Sequence, residues 1–352
     1  MSKTKLPLYE ELRAELLDTL ERENWQLLPN EQVLMARFGV SRNTLRHAIQ
    51  LLADEHILQP VQGLGTLVYP VPEVEKNSRI LVVCNYEMMP FQQDVLSKLL
   101  LMLNASHLNS VVLMLDKENV NIARFDEMLK ICDAVILECY CSYSPIILER
   151  IRLTGKKMVC IRWQVPAMDV PYVAENVLDG FYQVTRHLLE LGHRDIAFIG
   201  NTNDPKRMPG IERAMSEFGT KLRPELTEHL HNGYRASGYR LMDKILAKGV
   251  DFTAVICHND NCALGVEERL LIAGKRIPDD VSVTGFDNLN ESIDYPVPLT
   301  TCAGDLEEII QDVIAYLFSS RKESGSFSKL TDVHLMVRQS TGPVPRRGAA
   351  CI

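Results

Sequence analysis

The chain of 352 residues is too long for one typical domain and fits two, or a small module joined to a larger one. Its hydrophobic content of 46% and charged content of 24% are ordinary globular values, which exclude wholesale disorder, collagen-like repeats and small disulfide scaffolds. The net charge of −8 argues against a protein that coats nucleic acid or anionic lipid without specificity.

Neither a membrane span nor an export signal is visible in the sequence. The longest apolar stretch, residues 95–108, is interrupted by Ser97, Lys98 and Asn104, whereas a membrane helix needs about 18 uninterrupted apolar residues. The N-terminus runs directly into a charged periodic pattern without the apolar segment of a signal peptide. We therefore expect a cytoplasmic protein with no membrane partner.

The nine cysteines lie mostly inside apolar runs, as Cys84, Cys160 and Cys257 do. Such positions are typical of reduced thiols packed in a protein core. Cys139 and Cys141 are close in sequence, but no second pair of Cys or His follows at zinc-finger spacing. The sequence therefore predicts no metal site, and nothing in it indicates a cofactor.

Three helices are predicted near the N-terminus. Leucines at helical spacing indicate an amphipathic helix that ends near residues 23–24. Asn30 is a good N-cap for a second helix, which Gly39 ends. Ser41 can then cap a third helix over residues 42–56. Two helices joined by a short turn that contains glycine are typical of a helix-turn-helix unit.

The start of the third helix carries chemistry suited to reading DNA. In a helix-turn-helix unit, Arg42, Asn43, Thr44 and Arg46 would face base edges in the major groove. Arginine can donate two hydrogen bonds to guanine, and Asn or Thr can reach adenine or a thymine methyl group. Residues 32–53 contain no acid, so a local basic face can form despite the negative net charge. A three-helix unit can also serve as a docking module, and the pattern alone leaves that alternative open.

A hairpin follows the three helices, because residues 58–69 alternate around Gly63-Leu64-Gly65. The segments PLY (7–9), LPNE (28–31), FGVSRNTLRHA (38–48) and GLGTLV (63–68) closely resemble the GntR-type winged helix over its full length. The resemblance implies that the start of the third helix contacts operator bases or phosphates and that the glycine turn forms the wing tip.

The DNA-facing residues predicted from this pattern and resemblance are Glu31, Arg37, Ser41, Arg42, Asn43, Thr44, Arg46, Gly63 and Gly65. Two positions depart from the family. Asn30 replaces the usual Ser, which preserves capping, and Gln62 stands where many relatives have a basic residue. We expect weaker wing contacts for that reason.

Residues 71–78 are polar and lack periodicity, so we place a linker there between a domain at 1–70 and another at 79–352. After the linker, apolar runs occur at 79–84, 110–115, 134–137, 158–161, 196–200, 254–257 and 281–286. Helical segments between them include 91–108, 179–191, 238–248 and 261–273. These runs are apolar throughout, without alternating polar residues, and they are separated by helices along the chain. This order predicts parallel sheets covered by helices on both faces.

We expect two Rossmann-like lobes, the first at about 79–176 and 304–330 and the second at about 177–303 and 331–341. In such sheets a ligand binds beyond the carboxyl ends of the strands. Polar and aromatic residues follow the predicted strands at Asn85, Asp116, Glu138, Arg162, Trp163, Asn201, His258, Asn259, Asp260 and Asp287. Carboxylates, amides and an arginine around a Trp suit a polyhydroxylated ligand. The alternative is that strand ends are polar in any α/β protein.

The segments HLLELGHRDIAFIG (187–200), IPDDVSVTGFD (277–287) and LMVRQST (335–341) closely resemble the effector domain of the LacI/GalR family, similar in fold to periplasmic sugar-binding proteins. Gly192, His193 and Arg194 suit a helix end and are interpreted as architectural. The ligand-binding residues predicted from the strand ends and the resemblance are Arg162, Trp163, Asn176, Arg207, Asn259, Asp260 and Asp287. In the first lobe only Pro90 and Phe91 of the family's ligand loop are kept.

The segment 91–108 has more apolar residues than one helix face can bury in its own lobe. A homodimer would cover the second face, and two winged helices would then read a pseudo-palindromic operator. Packing between layers of the same chain is the alternative explanation.

Together these features predict an α/β protein with an N-terminal winged helix-turn-helix and a two-lobed, periplasmic-binding-protein-type sensor. The predicted function is transcriptional repression controlled by a sugar or sugar derivative, which Arg207, Asp260 and Asp287 hold between the lobes. One alternative is a large domain that only dimerises. Another is an enzyme, but no P-loop, Gly-x-Gly-x-x-Gly after a strand or Gly-x-Ser-x-Gly motif occurs.

Overall fold

The structure is a computed structural model, and it describes residues 8–23, 25, 28–54, 57–61, 65–68, 78–86, 88–116, 120–138, 145–163, 169–319 and 327–345. The described residues form two compact units, one within 8–68 together with 318–319 and the other within 78–317 and 327–345. Residues 71–77 of the predicted linker lie outside the described residues, as do Gln62 and Gly63. The linker and the domain boundaries therefore remain predictions.

The first unit has the three helices and the hairpin that the sequence predicts. Its elements are α1 (Leu8–Glu23), α2 (Glu31–Phe38), α3 (Arg42–Asp54), β1 (Leu58–Val61) and β2 (Gly65–Val68). Strands β1 and β2 pair in antiparallel register, with Leu58 opposite Val68. The core consists of buried apolar side chains from all three helices and β1, including Leu12, Leu16, Leu34, Leu45, Leu52 and Leu58.

Local capping explains the turn between α2 and α3. The Asn30 side chain accepts a hydrogen bond from the Val33 amide at 3.0 Å, which satisfies one free N–H at the start of α2. Gly39 ends α2 in the left-handed conformation, with φ of 63°. Ser41 Oγ accepts from the Thr44 amide at 3.3 Å and so caps α3. The direction of α3 is therefore encoded within about ten residues of sequence.

The second unit alternates strands and helices. Its helices are α4 (Pro90–Ala105), α5 (Ile122–Ile131), α6 (Pro145–Leu153), α7 (Val177–Glu190), α8 (Arg207–Glu217), α9 (Arg235–Ala247), α10 (Asp260–Ile272), α11 (Asn290–Ile293) and α12 (Leu306–Phe318). Its strands are β3 (Arg79–Asn85), β4 (Asn109–Leu115), β5 (Ala134–Glu138), β6 (Met158–Ile161), β7 (Tyr172–Glu175), β8 (Ile196–Gly200), β9 (Thr227–His229), β10 (Ala254–Cys257), β11 (Ser282–Thr284), β12 (Thr301–Gly304), β13 (Ser328–Thr331) and β14 (Val333–Met336).

Two parallel sheets define two lobes. The first has six strands in the order β13-β7-β6-β5-β3-β4, and the second has four in the order β11-β10-β8-β9. The chain passes from the first lobe to the second between β7 and α7, returns between β12 and α12, and crosses again between β13 and β14. Strands β12 and β14 pair with each other in antiparallel register. This is the predicted doubly covered, two-lobed architecture.

Each face of the second lobe's sheet packs on helices, as its continuous apolar strands predict. Val255 and Cys257 of β10 face a core that includes residues of α9 and α10. Ala254 and Ile256 of the same strand face the opposite core, which α7 and α8 cover. Adjacent residues of one strand are therefore buried on opposite faces, which explains the absence of polar alternation.

The strands that the sequence pattern did not predict are short or weakly apolar. Strand β9 has three half-buried residues at a sheet edge, and β12 and β13 have few large apolar side chains. Six described cysteines are free and buried, namely Cys84, Cys132, Cys160, Cys257, Cys262 and Cys302. Within the ranges that the structure describes, no helix is both long and apolar enough to span a bilayer.

Candidate functional site

The start of α3 forms an exposed polar face of the first unit. Leu45 and Ala48 are buried against the other helices, whereas Arg42, Asn43 and Arg46 are exposed. Ser41 and Thr44 hold the start of this helix through two contacts. Their hydroxyl oxygens lie 2.9 Å apart, and Ser41 Oγ also accepts from the Thr44 amide. The geometry leaves the side chains of Arg42, Asn43 and Arg46 available to a partner.

Glu31 at the start of α2 organises two of these side chains. Arg46 Nε donates to Glu31 Oε1 at 2.7 Å, and Arg42 Nε lies 3.3 Å from Glu31 Oε2. The hydrogen bond from Arg46 lowers the pKa of Glu31, so its carboxylate stays ionised. Both arginines remain more than half exposed, at 55% and 63% of their side-chain area. One carboxylate therefore orients two solvent-accessible guanidinium groups.

The other DNA-facing residues predicted from the sequence are placed differently. Arg37 is near the other end of α2 and lies over the Trp25 ring at 5.1 Å from its centroid. Gly65 begins β2, opposite Val61 in the hairpin. Gly63 falls outside the described residues, so its predicted place at the wing tip remains a prediction.

The second unit contains a cavity of about 200 Å³ between its two lobes. From the first lobe it is lined by Asn85, Met89, Phe91, Gln92, Arg162, Trp163 and Glu175, and from the second chiefly by Lys206, Arg207, His231, Tyr234, His258, Asn259, Phe286 and Asp287. Most of these residues follow strands or begin helices, as the strand-end argument predicts. We call this cavity the cleft.

A buried group of three charges links the two lobes at the cleft. Arg162 Nη2 lies 2.6 Å from Glu175 Oε1 and 3.0 Å from Asp287 Oδ1. The three side chains are only 9%, 5% and 8% exposed. Arg162 and Glu175 belong to the first lobe and Asp287 follows β11 of the second, so the bond between Arg162 and Asp287 is an interlobe tie. We refer to Arg162, Glu175 and Asp287 as the ion triad.

The pKa values of the ion triad follow from its burial. Burial raises the pKa of Asp287 to about 6, although Arg162 opposes the shift. Burial alone would lower the pKa of Arg162, but Glu175 and Asp287 outweigh it and raise the value. Both Arg162 and Asp287 have positive φ, at 64° and 110°. Strained backbone of this kind is often found at binding sites, because the surrounding structure must hold it.

Arg207 lies at the start of α8 on the wall of the second lobe. Its Nη1 donates to Asp204 Oδ2 at 2.7 Å, and its Nε donates to the His258 carbonyl at 3.4 Å. The guanidinium also lies over the Phe181 ring at 5.3 Å from the centroid. These contacts fix the side chain at the cleft, as a ligand-binding arginine requires.

Aromatic side chains form the apolar part of the cleft. The Phe91 and Trp163 rings lie 6.3 Å apart and are tilted by 48°. Tyr234 and Phe286 line the second lobe's side. A cleft with aromatic faces and convergent charged groups can hold a flat or ring-shaped polar ligand.

Asp260 does not line the cleft, and its part in ligand binding stays a prediction. It is fully buried, and its Oδ1 accepts from the Thr301 hydroxyl at 2.5 Å. Its Oδ2 accepts from the Leu289 amide at 2.8 Å and the Ser292 hydroxyl at 2.9 Å. The carboxyl group therefore ties α10 to β12 and α11, and the geometry gives no support to a direct ligand contact.

The two predicted asparagines are both N-caps. Asn176 Oδ1 accepts from the Asp179 amide at 3.2 Å, and Asn176 does not line the cleft. Asn259 Oδ1 accepts from the Cys262 amide at 2.9 Å, but Asn259 also lines the cleft. The structure thus brings together Arg162, Trp163, Arg207, Asn259 and Asp287 and leaves Asn176 and Asp260 outside the cleft wall.

Sequence reasoning missed Glu175, although it completes the ion triad. The signal was present as the run YVAE (172–175), a short apolar strand that ends in an acid. The run is too short to be recognised as a strand by periodicity.

Comparison with known proteins gives two family matches. Residues 4–68 match the model of bacterial regulatory proteins of the gntR family. Residues 185–341 match the periplasmic binding protein-like domain.

The curated relatives include the HTH-type transcriptional repressor PurR of Pasteurella multocida, which is 30% identical over 225 residues. That match covers 61% of this chain and 66% of the relative. PurR of Glaesserella parasuis is 34% identical over 174 residues, covering 48% of this chain and 50% of the relative. The chain therefore spans between half and two thirds of the length of these relatives.

A solved structure with the same fold is a LacI family transcriptional regulator from Enterococcus faecium with bound ribose. Its TM-score is 0.65 at 23% identity, and the match covers 76% of this chain and all of that one. The fold and cleft thus define a two-lobed, periplasmic-binding-protein-like domain. The chain carries a GntR-type helix-turn-helix domain together with this periplasmic-binding-protein-like domain.

Proposed function

We propose that the protein is a sequence-specific DNA-binding regulator, acting as a repressor, whose operator affinity depends on a small ligand in the cleft. The single observation that carries this proposal is the exposed start of α3, where Arg42 and Arg46 are fixed by Glu31 and face solvent. The named curated relatives are transcriptional repressors, which supports the same class.

On a duplex, Arg42, Asn43 and Arg46 enter the major groove and donate to base edges. Glu31 limits the positions that the two guanidinium groups can adopt, so it supports discrimination between bases more than total affinity. Arg37 and the hairpin with Gly63 and Gly65 contribute phosphate contacts, which position the domain without reading sequence.

The ligand in this proposal is a sugar or sugar derivative. The rings of Trp163, Phe91 and Tyr234 offer apolar faces to a pyranose or furanose ring, while Arg207 and Asp287 offer a donor and an acceptor to its hydroxyl groups. A solved protein of the same fold holds ribose, which supports a ligand of this size.

Coupling between ligand and DNA operates through closure of the two lobes. A ligand that contacts Arg162 and Asp287 changes the strength of the interlobe tie, and so shifts the balance between open and closed forms. In a homodimer this shift alters the spacing of the two recognition helices on a pseudo-palindromic operator. The coupling energy for such proteins is typically about 1 to 3 kcal/mol.

The dimer is supported by apolar side chains that the described part of the lobe leaves uncovered. Leu101 of α4 is 63% exposed, and Met114 of β4 is also exposed. In our proposal a second copy of the chain covers these side chains. The resulting dimer acts on double-stranded DNA in the cytoplasm. Catalysis has no part in this proposal.

The test is a two-stage binding experiment on the full chain. An operator is first selected from random duplexes, and a sugar panel is then screened for a compound that changes operator dissociation. We expect one sugar or a close group of sugars to change the dissociation rate. If an operator is found but no sugar alters binding or melting temperature, the large domain acts only as a dimerisation scaffold and the sensor half of the proposal is wrong.

A further inference from the structure

Two side chains in the wall of the cleft carry a buried nitrogen atom that has no hydrogen-bond partner among the described residues. They are Gln92, on α4 of the first lobe, and His258, which follows β10 of the second. The atoms concerned are Gln92 Nε2 and His258 Nδ1. Neither residue belongs to the ligand-binding set predicted from the sequence. A buried polar atom without a partner is unfavourable, so each lobe presents a group that a ligand would stabilise.

The other end of the Gln92 amide fixes its orientation. Gln92 Oε1 accepts a hydrogen bond from the Met89 amide at 3.0 Å, which satisfies a free N–H at the start of α4. Only the oxygen of a side-chain amide can accept this bond, so Nε2 is the free end and is a donor. The residue is only 2% exposed. Gln92 therefore requires an acceptor that the described protein does not supply.

The neighbouring carboxyl group of Glu138 does not meet this requirement. Burial raises the pKa of Glu138 to about 8, against the opposing effects of Arg162 and of the adjacent Gln92 amide. No hydrogen bond joins the two side chains, because Gln92 Nε2 and Glu138 Oε2 both lack a partner among the described residues. The first-lobe wall thus holds an unsatisfied amide beside an acid that is neutral at pH 7.

His258 is held in the wall of the second lobe by its backbone. Its N–H donates to the Ile199 carbonyl at 2.9 Å, and its carbonyl accepts from Arg207 Nε at 3.4 Å. Burial, together with the positive charge of Arg207, lowers the pKa of His258 well below its ordinary value of 6.5. The ring is therefore neutral at pH 7, with one nitrogen as a donor and the other as an acceptor.

A hydroxyl group suits both positions. Its oxygen can accept from Gln92 Nε2, and it can either donate to or accept from the neutral ring of His258, whichever nitrogen carries the proton. A carboxylate or phosphate would form no ion pair at either position, because the two side chains are uncharged. The pair therefore favours a neutral ligand with several hydroxyl groups over an anionic one.

We propose that Gln92 and His258 are specificity-determining residues of the cleft, which hydrogen-bond two different hydroxyl groups of one monosaccharide from opposite lobes. This inference rests on the proposed sensor function and adds two contacts to it. Because each lobe supplies one contact, a sugar that makes both bridges the lobes and favours their closed arrangement.

The test begins with D-ribose, D-xylose, D-glucose, D-galactose and D-fructose, screened for a change in the melting temperature of the full chain without DNA. The sugar with the largest effect is then titrated by calorimetry. We expect His258→Phe, which keeps a ring of similar shape, and Gln92→Met, which keeps the chain length, each to bind that sugar at least about tenfold more weakly. The reason is that each variant leaves a buried hydroxyl group without its partner.

Two further variants separate ligand contact from a general structural effect. Gln93→Met changes an exposed glutamine next to Gln92, outside the cleft wall, and should leave sugar affinity unchanged. His258→Gln keeps a donor and an acceptor and should restore part of the affinity lost in His258→Phe. Gln92→Met also removes the bond to the Met89 amide and should lower the melting temperature of the sugar-free chain, so affinity is the deciding measurement.

Mono-deoxy analogues of the same sugar identify the hydroxyl groups that are read. In the parent, one analogue should bind at least about tenfold more weakly than the sugar, whereas His258→Phe should bind that analogue and the sugar equally. A different analogue should show the same behaviour with Gln92→Met. This pairing of one hydroxyl with one side chain is not expected from a purely structural role.

The outcomes separate this inference from the sensor function on which it rests. If the parent responds to a sugar and both His258→Phe and Gln92→Met bind it with parental affinity, only this inference is overturned. Penalties for the deoxy analogues that are the same in the parent and in both variants would also overturn it. If no sugar of the panel changes the melting temperature of the parent, the sensor half of the proposed function is wrong and this inference falls with it.

Discussion

Replacing the buried Glu267 by Met should stabilise the second unit at neutral pH. Glu267 lies on α10 and is fully buried, and neither carboxylate oxygen has a hydrogen-bond partner among the described residues. Burial, together with the negative charge of Asp260, raises its pKa from 4.5 to about 8. Met has a similar length and is a good helix former, so the change removes the buried polar group without opening a large cavity.

The size of the effect follows from the pKa difference. Below pH 4.5 the group is protonated in both the folded and unfolded chain, so it has no pH-dependent effect. Between pH 4.5 and about 8 the unfolded chain releases the proton while the folded chain keeps it, and stability falls as pH rises. Each pH unit above 4.5 lowers the free energy of unfolding by about 1.4 kcal/mol, so the loss of stability at pH 7 is about 3 kcal/mol. Above about pH 8 the loss is constant.

Urea titrations of the full chain, followed by Trp163 fluorescence in a Trp25→Phe background, measure this effect. Glu267→Met should be more stable than the parent by about 3 kcal/mol at pH 7 and by much less at pH 5. Glu267→Gln is the matched control, because it keeps the shape and polarity but does not titrate. A difference between Glu267→Met and the parent that stays constant from pH 5 to pH 8 would show that the carboxyl group is not held neutral by burial.

Three further predictions concern the functional sites. Arg42→Ala should weaken operator binding by roughly 1 to 3 kcal/mol and relax specificity at one base position, and an equal loss on random duplex would mean that Arg42 touches only backbone. Glu31→Gln should raise affinity for random duplex because it removes a negative charge, and it should lower the ratio of specific to random binding because it frees Arg42 and Arg46. An unchanged ratio in competition assays would contradict the orienting role of Glu31. Asp287→Ala should abolish any sugar-induced rise in melting temperature, and because it also removes the interlobe tie to Arg162, operator binding should persist but no longer respond to sugar. A retained rise would remove Asp287 from the ligand site.

The helix-turn-helix was predictable because its determinants are local. Asn30, Gly39 and Ser41 act on backbone groups within a few residues of themselves, so caps and turn can be read directly from the sequence. The pairing of Glu31 with Arg46 spans 15 residues and depends on how α2 packs against α3. Its existence could not be read from spacing alone.

The cleft was predictable only in outline, because strand ends indicate an edge of a sheet and not the direction of a side chain. Asp260 follows a strand as predicted, but its partners lie 29, 32 and 41 residues further along the chain and turn it into the protein interior. Asn176 likewise faces the start of its own helix. Arg207 and Asp287, in contrast, do reach the cleft.

The most direct test of the central claim is selection from a random pool of duplexes with the full chain. If Arg42 and Arg46 read base edges from the start of α3 in a dimer, the selected sequences should share an inverted repeat, and Arg42→Ala should lose that repeat while still binding duplex weakly. A selected pool with no shared sequence, obtained with folded and dimeric protein, would contradict the account.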